Sequence, residues 1–360
     1  MTYNAGIIGC GNSGIVHAEV LDSISESSVY AVCDPDNEKR ESVSERFDAK
    51  AFSDSQELLE VGELDAVHVC SPVQTHHNIA IDSIKNQLPT LIEKPLTRNV
   101  SEAENIIQAR DNAQIPVGVV HNRVFNPRIM AAKNRVTDGE IGEIIAIDLL
   151  TSTESDLSDA TRGEWVFDLP GGELGETMPH HVYLALEFVD RLGKIRGVTK
   201  HNSRSYQRVD IDGLNIVATD YTGNVNISIR ALTNSSEQYE LTLFGTDGIM
   251  TVDLRRTPGT YFNTTNGFSP KIVIENYLHE LSSLIRNFSA LIKSELVEKL
   301  NNSGTAVSRH RGHYNTIQGF ISAVKTGEQV PTELEDGLDT IRVIEFMENK
   351  QNKEETATVS

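Results

Sequence analysis

The stretch "GIIGCGNSG", residues 6–14, decides how this chain is read. Four glycines crowd around one short apolar run. A glycine lets the backbone turn tightly and lets a ligand approach the main chain, which a larger side chain would block. Where a strand enters such a turn and a helix leaves it, the free amides of the helix N-terminus face the turn and favour an anion, usually a phosphate. Gly9, Gly11 and Gly14 have the spacing of a dinucleotide-binding turn, and Asn12 lies inside it. Alone this spacing is a weak signal. Its neighbourhood gives it weight.

Residues 1–122 alternate short apolar runs with amphipathic stretches. "NAGII" (4–8), "VYAVC" (29–33), "AVHVC" (66–70), "TLIE" (90–93) and "PVGVV" (116–120) are near-continuously apolar, as strands buried on both faces of a parallel sheet are. Between them "GIVHAEVLDSI", "NEKRESVSERF", "HHNIAIDSIKN" and "SEAENIIQARDNA" carry helical spacing, and Ser101 with Glu104 predicts a capping box before the last. Alternating strands and helices predict an α/β fold with a Rossmann-type, doubly wound parallel sheet. Asp34 ends the second strand about 20 residues beyond Gly14, where an acid bonds the hydroxyls of an adenosine ribose. An aspartate there repels a 2′-phosphate, so the expected cofactor is NAD; Lys39 and Arg40 nearby keep NADP open.

The composition sets outer limits. A chain of 360 residues suffices for two domains, each with its own core. With 52 acidic against 32 basic side chains, the net charge of −20 repels polyanions and argues against nucleic acid or an anionic membrane as a partner. No run approaches the roughly 18 apolar residues of a membrane span, and no basic-then-apolar leader opens the chain, so a cytoplasmic location is expected. Cys10, Cys33 and Cys70 form no C-x-x-C pair and read as buried thiols.

Ligands of a doubly wound sheet sit beyond the carboxyl ends of its strands. Three such ends are strongly polar: "CSPVQTHH" (70–77), "EKP" (93–95) and "HNRVFNP" (121–127). A lysine there can hold its ammonium against a substrate hydroxyl and stabilise the alkoxide formed as hydride leaves. Lys94 is the candidate, with Pro95 fixing the backbone that follows. Taken together, "GCGNSG", "VCDPD", "VCSPVQTHH", "IEKPL" and "RVFNP" resemble the glucose-fructose oxidoreductase, inositol dehydrogenase and MocA family of NAD(P)-dependent dehydrogenases. The resemblance covers the N-terminal domain and returns near residues 168–188 and 311–346. It implies that Lys94 is catalytic, that Ser71, Pro72 and His76 line the cofactor pocket, and that Glu93 lies near the nicotinamide.

The same resemblance extends to "PGGELGETMPHHVYLAL" (170–186), where Glu176 and His180 stand four apart and share a helix face. It implies His180 as the base that takes the hydroxyl proton, with Glu176 beside it. The chain departs from the family pattern here: Glu176 replaces the commoner Asp, Met178 replaces a Gly, and Tyr183 replaces a frequent acid. These changes leave open which residue orients His180 and leave His181 as an alternative base. Arg123, Asn126 and Trp165 fall where family members bind substrate, although Trp165 can equally be core and Arg123 can pair with a carboxylate. A metal is not expected: the histidines show no H-E-x-x-H spacing, and adjacent histidines on a helix point apart.

Beyond residue 123 the pattern changes to strands joined by Gly, Asp and Asn turns: "IGEIIAIDLLTS", "KIRGVTKHNS", "LNIVATDYTG", "NVNISIRALT", "YELTLFGTDG" and "IMTVDLRR". An α+β domain with a broad, mainly antiparallel sheet is expected over 123–349, followed by a polar tail over 350–360. In the family such a sheet commonly builds a homodimer or homotetramer. An amphipathic helix is expected over 275–300, covering the sheet, joining an interface or lying on a membrane surface. The expected function is hydride transfer between NAD(P) and a sugar or nucleotide-sugar hydroxyl or ketone. The alternatives are a sensor that binds cofactor without turnover and an oxidoreductase acting on a non-sugar.

Overall fold

A computed structural model describes residues 2–154, 173–201, 213–233, 235–255, 259–263 and 309–348, together with residues 274, 278, 281, 282, 285, 289 and 292. The chain forms two compact units, residues 1–125 with 302–342, and residues 126–301 with 343–360.

The first unit is built on six strands, the third of which lies exposed at the sheet edge while the others are largely buried. They are β1 (Tyr3–Ile8), β2 (Ser27–Cys33), β3 (Lys50–Phe52), β4 (Ala66–Val69), β5 (Thr90–Ile92) and β6 (Val117–Val119). All pair in parallel in the order β3-β2-β1-β4-β5-β6. This is the doubly wound order, with its switch point between β1 and β4. Every residue of β4, β5 and β6 is buried. The intervening helices are α1 (Asn12–Ser23), α2 (Asn37–Phe47), α3 (Ser55–Leu59), α4 (Val73–Lys85) and α5 (Val100–Ala113). The N-cap of α5 is Asn99, whose side chain accepts from Glu102 N at 2.9 Å, and not the expected Ser101. Asparagine satisfies an orphan helix amide as well as serine does, and it stands two residues earlier.

In the second unit Asn126 caps α6 (Pro127–Thr137) by accepting from Arg128 N, with Pro127 at the first helical position. Strands β7 (Ile144–Thr153), β8 (Leu192–His201), β9 (Gly213–Asp220), β10 (Asn226–Thr233), β11 (Gln238–Gly245), β12 (Ile249–Asp253) and β13 (Gly259–Asn263) form one sheet in the order β13-β12-β11-β7-β10-β9-β8. Only the β7–β10 pair is parallel among these neighbours, so the expected mainly antiparallel sheet is present. Buried positions alternate along β10, β11 and β12, and α7 (Glu173–Leu186) packs against β7 and β10. The described apolar residues of the 275–300 segment, among them Leu278, Leu281 and Ile285, are exposed.

The chain then returns to the first unit with α8 (Arg311–Thr326), a segment the sequence grouped with the second domain. Ile317 and Phe320 of α8 are fully buried in one core with Tyr3, Ala5, Ile7 and Leu21. At the start of α9 (Leu334–Glu348), Glu335 takes a fork from Arg110 of α5 at 2.9 and 2.7 Å.

Candidate active site

The glycine turn after β1 is shaped by contact on two sides and by open space on the third. Gly9 sits at φ +104°, and a Cβ there would lie 2.5 Å from Ser71 N, so only glycine fits. A Cβ on Gly14 would lie 1.9 Å from Gly9 O, which closes the turn onto α1. At Gly11, the N-cap of α1, a Cβ would meet nothing within 4 Å. The protein itself does not require a missing side chain at Gly11; a ligand approaching the amides at the helix start does. That open cradle is what a dinucleotide pyrophosphate needs, and Asn12 and Ser13 lie on its rim.

Asp34 follows β2 and reaches back to the turn. Its Oδ2 accepts from Cys10 N at 2.8 Å and its Oδ1 accepts from Asp36 N at 2.9 Å. Each oxygen keeps a further lone pair for a ribose hydroxyl. Arg40 donates to the Asp34 carbonyl at 2.6 Å. Cys10, Cys33 and Cys70 are buried free thiols as expected; burial first, then nearby Asp34, pushes Cys10 up to about 12.

Beyond β4, Ser71 bonds Thr75 at 2.7 Å and Pro72 forms the N-cap of α4. His76, one turn into α4, is buried with Nε2 at 2.8 Å from Ser71 O and Nδ1 at 3.0 Å from Pro95 O. It therefore lies between the loop after β4 and the segment after β5, with one N–H to give to one of the two carbonyls. Glu93 follows β5 and points inward. Its Oε1 lies 3.1 Å from His17 Nε2 and 3.6 Å from His313 Nε2, and its Oε2 accepts from Lys94 N at 3.1 Å. Burial raises the Glu93 carboxyl, but the bonds from His17 and His313 outweigh it and hold the group well below the usual carboxylate range.

In the second unit α7 carries Glu176, His180 and His181, all buried. His180 Nδ1 lies 2.6 Å from Tyr183 Oη, and His181 Nδ1 lies 3.3 Å from Tyr239 Oη. The residue standing in place of the family's acid thus bonds His180 directly. The Oδ1 of Asn126 is engaged by its own helix cap. Arg123 lies half-buried in a 3-10 turn, Asn122–Phe125, at the end of the first unit. Trp165 lies outside the described residues.

The sequence reading missed His17, His68 and His313. His68 offered the one visible signal, a histidine in the middle of the apolar strand "AVHVC". His68 Nδ1 lies 2.9 Å from His17 Nδ1, and its Nε2 lies 3.4 Å from Tyr3 Oη.

The order of the first sheet, the open glycine cradle and the acid at the end of β2 define a dinucleotide-binding oxidoreductase fold. The chain belongs to the GFO/IDH/MocA family: residues 3–121 match its oxidoreductase domain with an NAD-binding Rossmann fold, and residues 129–251 match its C-terminal domain. Among curated relatives, a myo-inositol 2-dehydrogenase of Thermotoga maritima is 32% identical over 139 residues, 38% of this chain and 42% of that protein. The chain is thus matched to such relatives over less than half their length. Oxidoreductase P35 of Formosa agariphila is 25% identical over 286 residues, 77% of this chain and 85% of its own. Among solved structures, the WlbA dehydrogenase of Bordetella pertussis, in complex with NADH and UDP-GlcNAcA, superposes with a TM-score of 0.72 at 16% identity over 96% of this chain and 95% of its own. An oxidoreductase of Agrobacterium radiobacter in complex with NAD+, L-tartaric acid and magnesium gives 0.74 at 16% identity over 96% and 95%.

Proposed function

We propose that this protein is an NAD-dependent dehydrogenase that moves hydride between a secondary hydroxyl, or the matching ketone, of a sugar, cyclic polyol or nucleotide-sugar and the cofactor. One observation carries the reading: within the first unit, the open cradle at Gly11, the Asp34 carboxylate and Lys94 all follow the carboxyl ends of strands in one parallel sheet. The inositol dehydrogenase among the relatives and the nucleotide-sugar complex among the structures support a polyhydroxylated substrate.

Gly9, Gly11, Asn12, Gly14 and the start of α1 hold the pyrophosphate, and Asp34 holds the adenosine ribose and disfavours a 2′-phosphate. Bound nicotinamide supplies the hydride acceptor. Lys94 stabilises the developing alkoxide, because its ammonium is a compact point charge. His180 receives the hydroxyl proton at Nε2, since its Nδ1 is already taken by Tyr183. Glu176, one turn before His180, assists from the same helix face. Arg123 binds the substrate hydroxyls, and the Trp165 indole stacks on the substrate ring. The second sheet, which exposes Ile145 and Val217, takes a second copy of the chain. Among the described residues no helix is long and apolar enough to cross a membrane, and we place the protein in the cytoplasm.

The test is the near-ultraviolet absorbance of NADH on mixing the protein with NAD and a panel of inositols, sugars and nucleotide-sugars. Turnover of one substrate, lost in Lys94→Ala and weaker with NADP, is the expected result. Cofactor binding with no turnover in either direction would overturn the reading.

A further inference from the structure

Behind the strand ends lies a buried polar chain that the dehydrogenase reading does not use. It runs from Tyr3 Oη to His68 Nε2 at 3.4 Å, from His68 Nδ1 to His17 Nδ1 at 2.9 Å, and from His17 Nε2 to Glu93 Oε1 at 3.1 Å. Tyr3, His68 and His17 are essentially inaccessible to solvent. The bonding roles in this chain are fixed by elimination. An ionised Glu93 only accepts, so His17 donates from Nε2. A neutral His17 then has a bare Nδ1, which accepts from His68 Nδ1–H. His68 is left with a bare Nε2, which accepts the Tyr3 hydroxyl proton. Every ring nitrogen has one role, and the donors all point toward Glu93. Burial lowers both His17 and His68, which keeps the imidazoles neutral as this direction requires. His313, with 21% of its side chain exposed, completes the set from the solvent side, and Asn122 lies 3.2 Å from its Nδ1.

We propose that Glu93 is the positioning residue of Lys94, locked facing inward by the Tyr3–His68–His17 chain and by His313, and that its carboxylate does not touch the cofactor. Glu93 Oε2 accepts from the Lys94 amide, so the backbone that carries the Lys94 side chain is pinned by a group that faces inward. The proposal rests on Lys94 being the catalytic lysine. A rival use of the same atoms is as a metal site, since His17 Nε2, Glu93 Oε1 and His313 Nε2 all lie within 4.8 Å of one another. A metal needs the lone pair of His17 Nε2, and the hydrogen-bond chain places a proton there.

The test uses the full chain with 15N-labelled histidine and 13C-methylated lysine. The expected spectrum shows His17 protonated at Nε2 and His68 at Nδ1, the rarer tautomer. Glu93→Gln is expected to move the Lys94 methyl resonance, to lower turnover about 10²-fold, and to leave NAD+ affinity within twofold of the parent. Should Glu93→Gln not fold, Tyr3→Phe, which removes only the end donor, is expected to leave His68 in its Nδ1–H tautomer because His17 Nδ1 still accepts that proton, and a switch to the Nε2–H tautomer would overturn the assigned direction. An unmoved Lys94 resonance, a loss of NAD+ affinity that matches the loss of turnover, or stoichiometric capture of added Zn2+ by this cluster would overturn the proposal. Failure of the dehydrogenase reading looks different: the parent protein then turns over no polyol, while the histidine and Lys94 signals still behave as described.

Discussion

Gly11 and Gly14 stand three residues apart in the same turn and are glycine for opposite reasons. At Gly14 the missing side chain makes room for the protein, because a Cβ would sit 1.9 Å from the Gly9 carbonyl oxygen. Gly14→Ala therefore forces backbone apart and is expected to cost about 3 kcal/mol in urea unfolding. At Gly11 the space is open and the backbone is extended, at φ −78° and ψ −164°. Gly11→Ala is expected to keep stability within about 1 kcal/mol while weakening NAD+ binding about tenfold by calorimetry, since the added methyl fills the approach to the amides. Similar losses of stability in both variants would sink this distinction. Tyr183 supplies a second residue-scale expectation. Its hydroxyl holds His180 Nδ1 at 2.6 Å, so Tyr183→Phe is expected to lower turnover about tenfold and leave NAD+ affinity unchanged. The glycine turn was legible because its backbone demand lies in local spacing, and the places of Asp34 and Lys94 were legible because the apolar pattern marks the ends of β2 and β5. His17, His68 and Glu93 were not read as a group, because 51 residues separate the first two and 76 separate His17 from Glu93.

Helix α5 shows how an element's boundary is set by one side chain that the apolar pattern cannot show. Two candidate caps, Asn99 and Ser101, lie within three residues, and only Asn99 accepts a helix amide, that of Glu102. Asn99→Ala is expected to cost about 1 kcal/mol, whereas Ser101→Ala, at an exposed position, stays within about 0.5 kcal/mol. Equal urea midpoints for the two variants would show that the cap has been misassigned. The long elements of both units were readable because apolar period and length agree over many residues. The elements missed were short or irregular: β3 has 3 residues, α3 has 5 and β13 has 5. Helix α6 carried a usable signal in Asn126–Pro127, a cap followed by proline at the first helical position. The parallel pairing of β7 with β10 was beyond reach, since it joins strands about 80 residues apart whose own patterns are those of any half-buried strand.

At the scale of the whole molecule, the first unit gathers four buried histidines, His17, His68, His76 and His121, around one buried carboxylate. Burial is the leading cause in each case and lowers all four, His121 to about 3. Because these folded-state values lie below the unfolded value of about 6.5, the unfolded chain binds more protons in mild acid. The stability contributed by neutral histidines is therefore fully present above pH 6.5. For His121 it is lost progressively as pH falls from 6.5 toward 3, and by pH 5.5 the loss is about 1 kcal/mol. The other three act in the same direction. Glu93 adds to this only at lower pH: its depressed carboxyl stabilises the fold above about 4.5 and loses that contribution below. The expected outcome is a steep fall in urea midpoint by circular dichroism between pH 7.5 and 5.5, well before carboxylates titrate. His121→Gln removes one of the four groups and should flatten that fall by about 1 kcal/mol. A midpoint that stays level across this range would mean that the buried imidazoles accept protons in the folded state. The one-way chain feeding Glu93 would then lose its physical basis along with the acid sensitivity, because both require neutral rings.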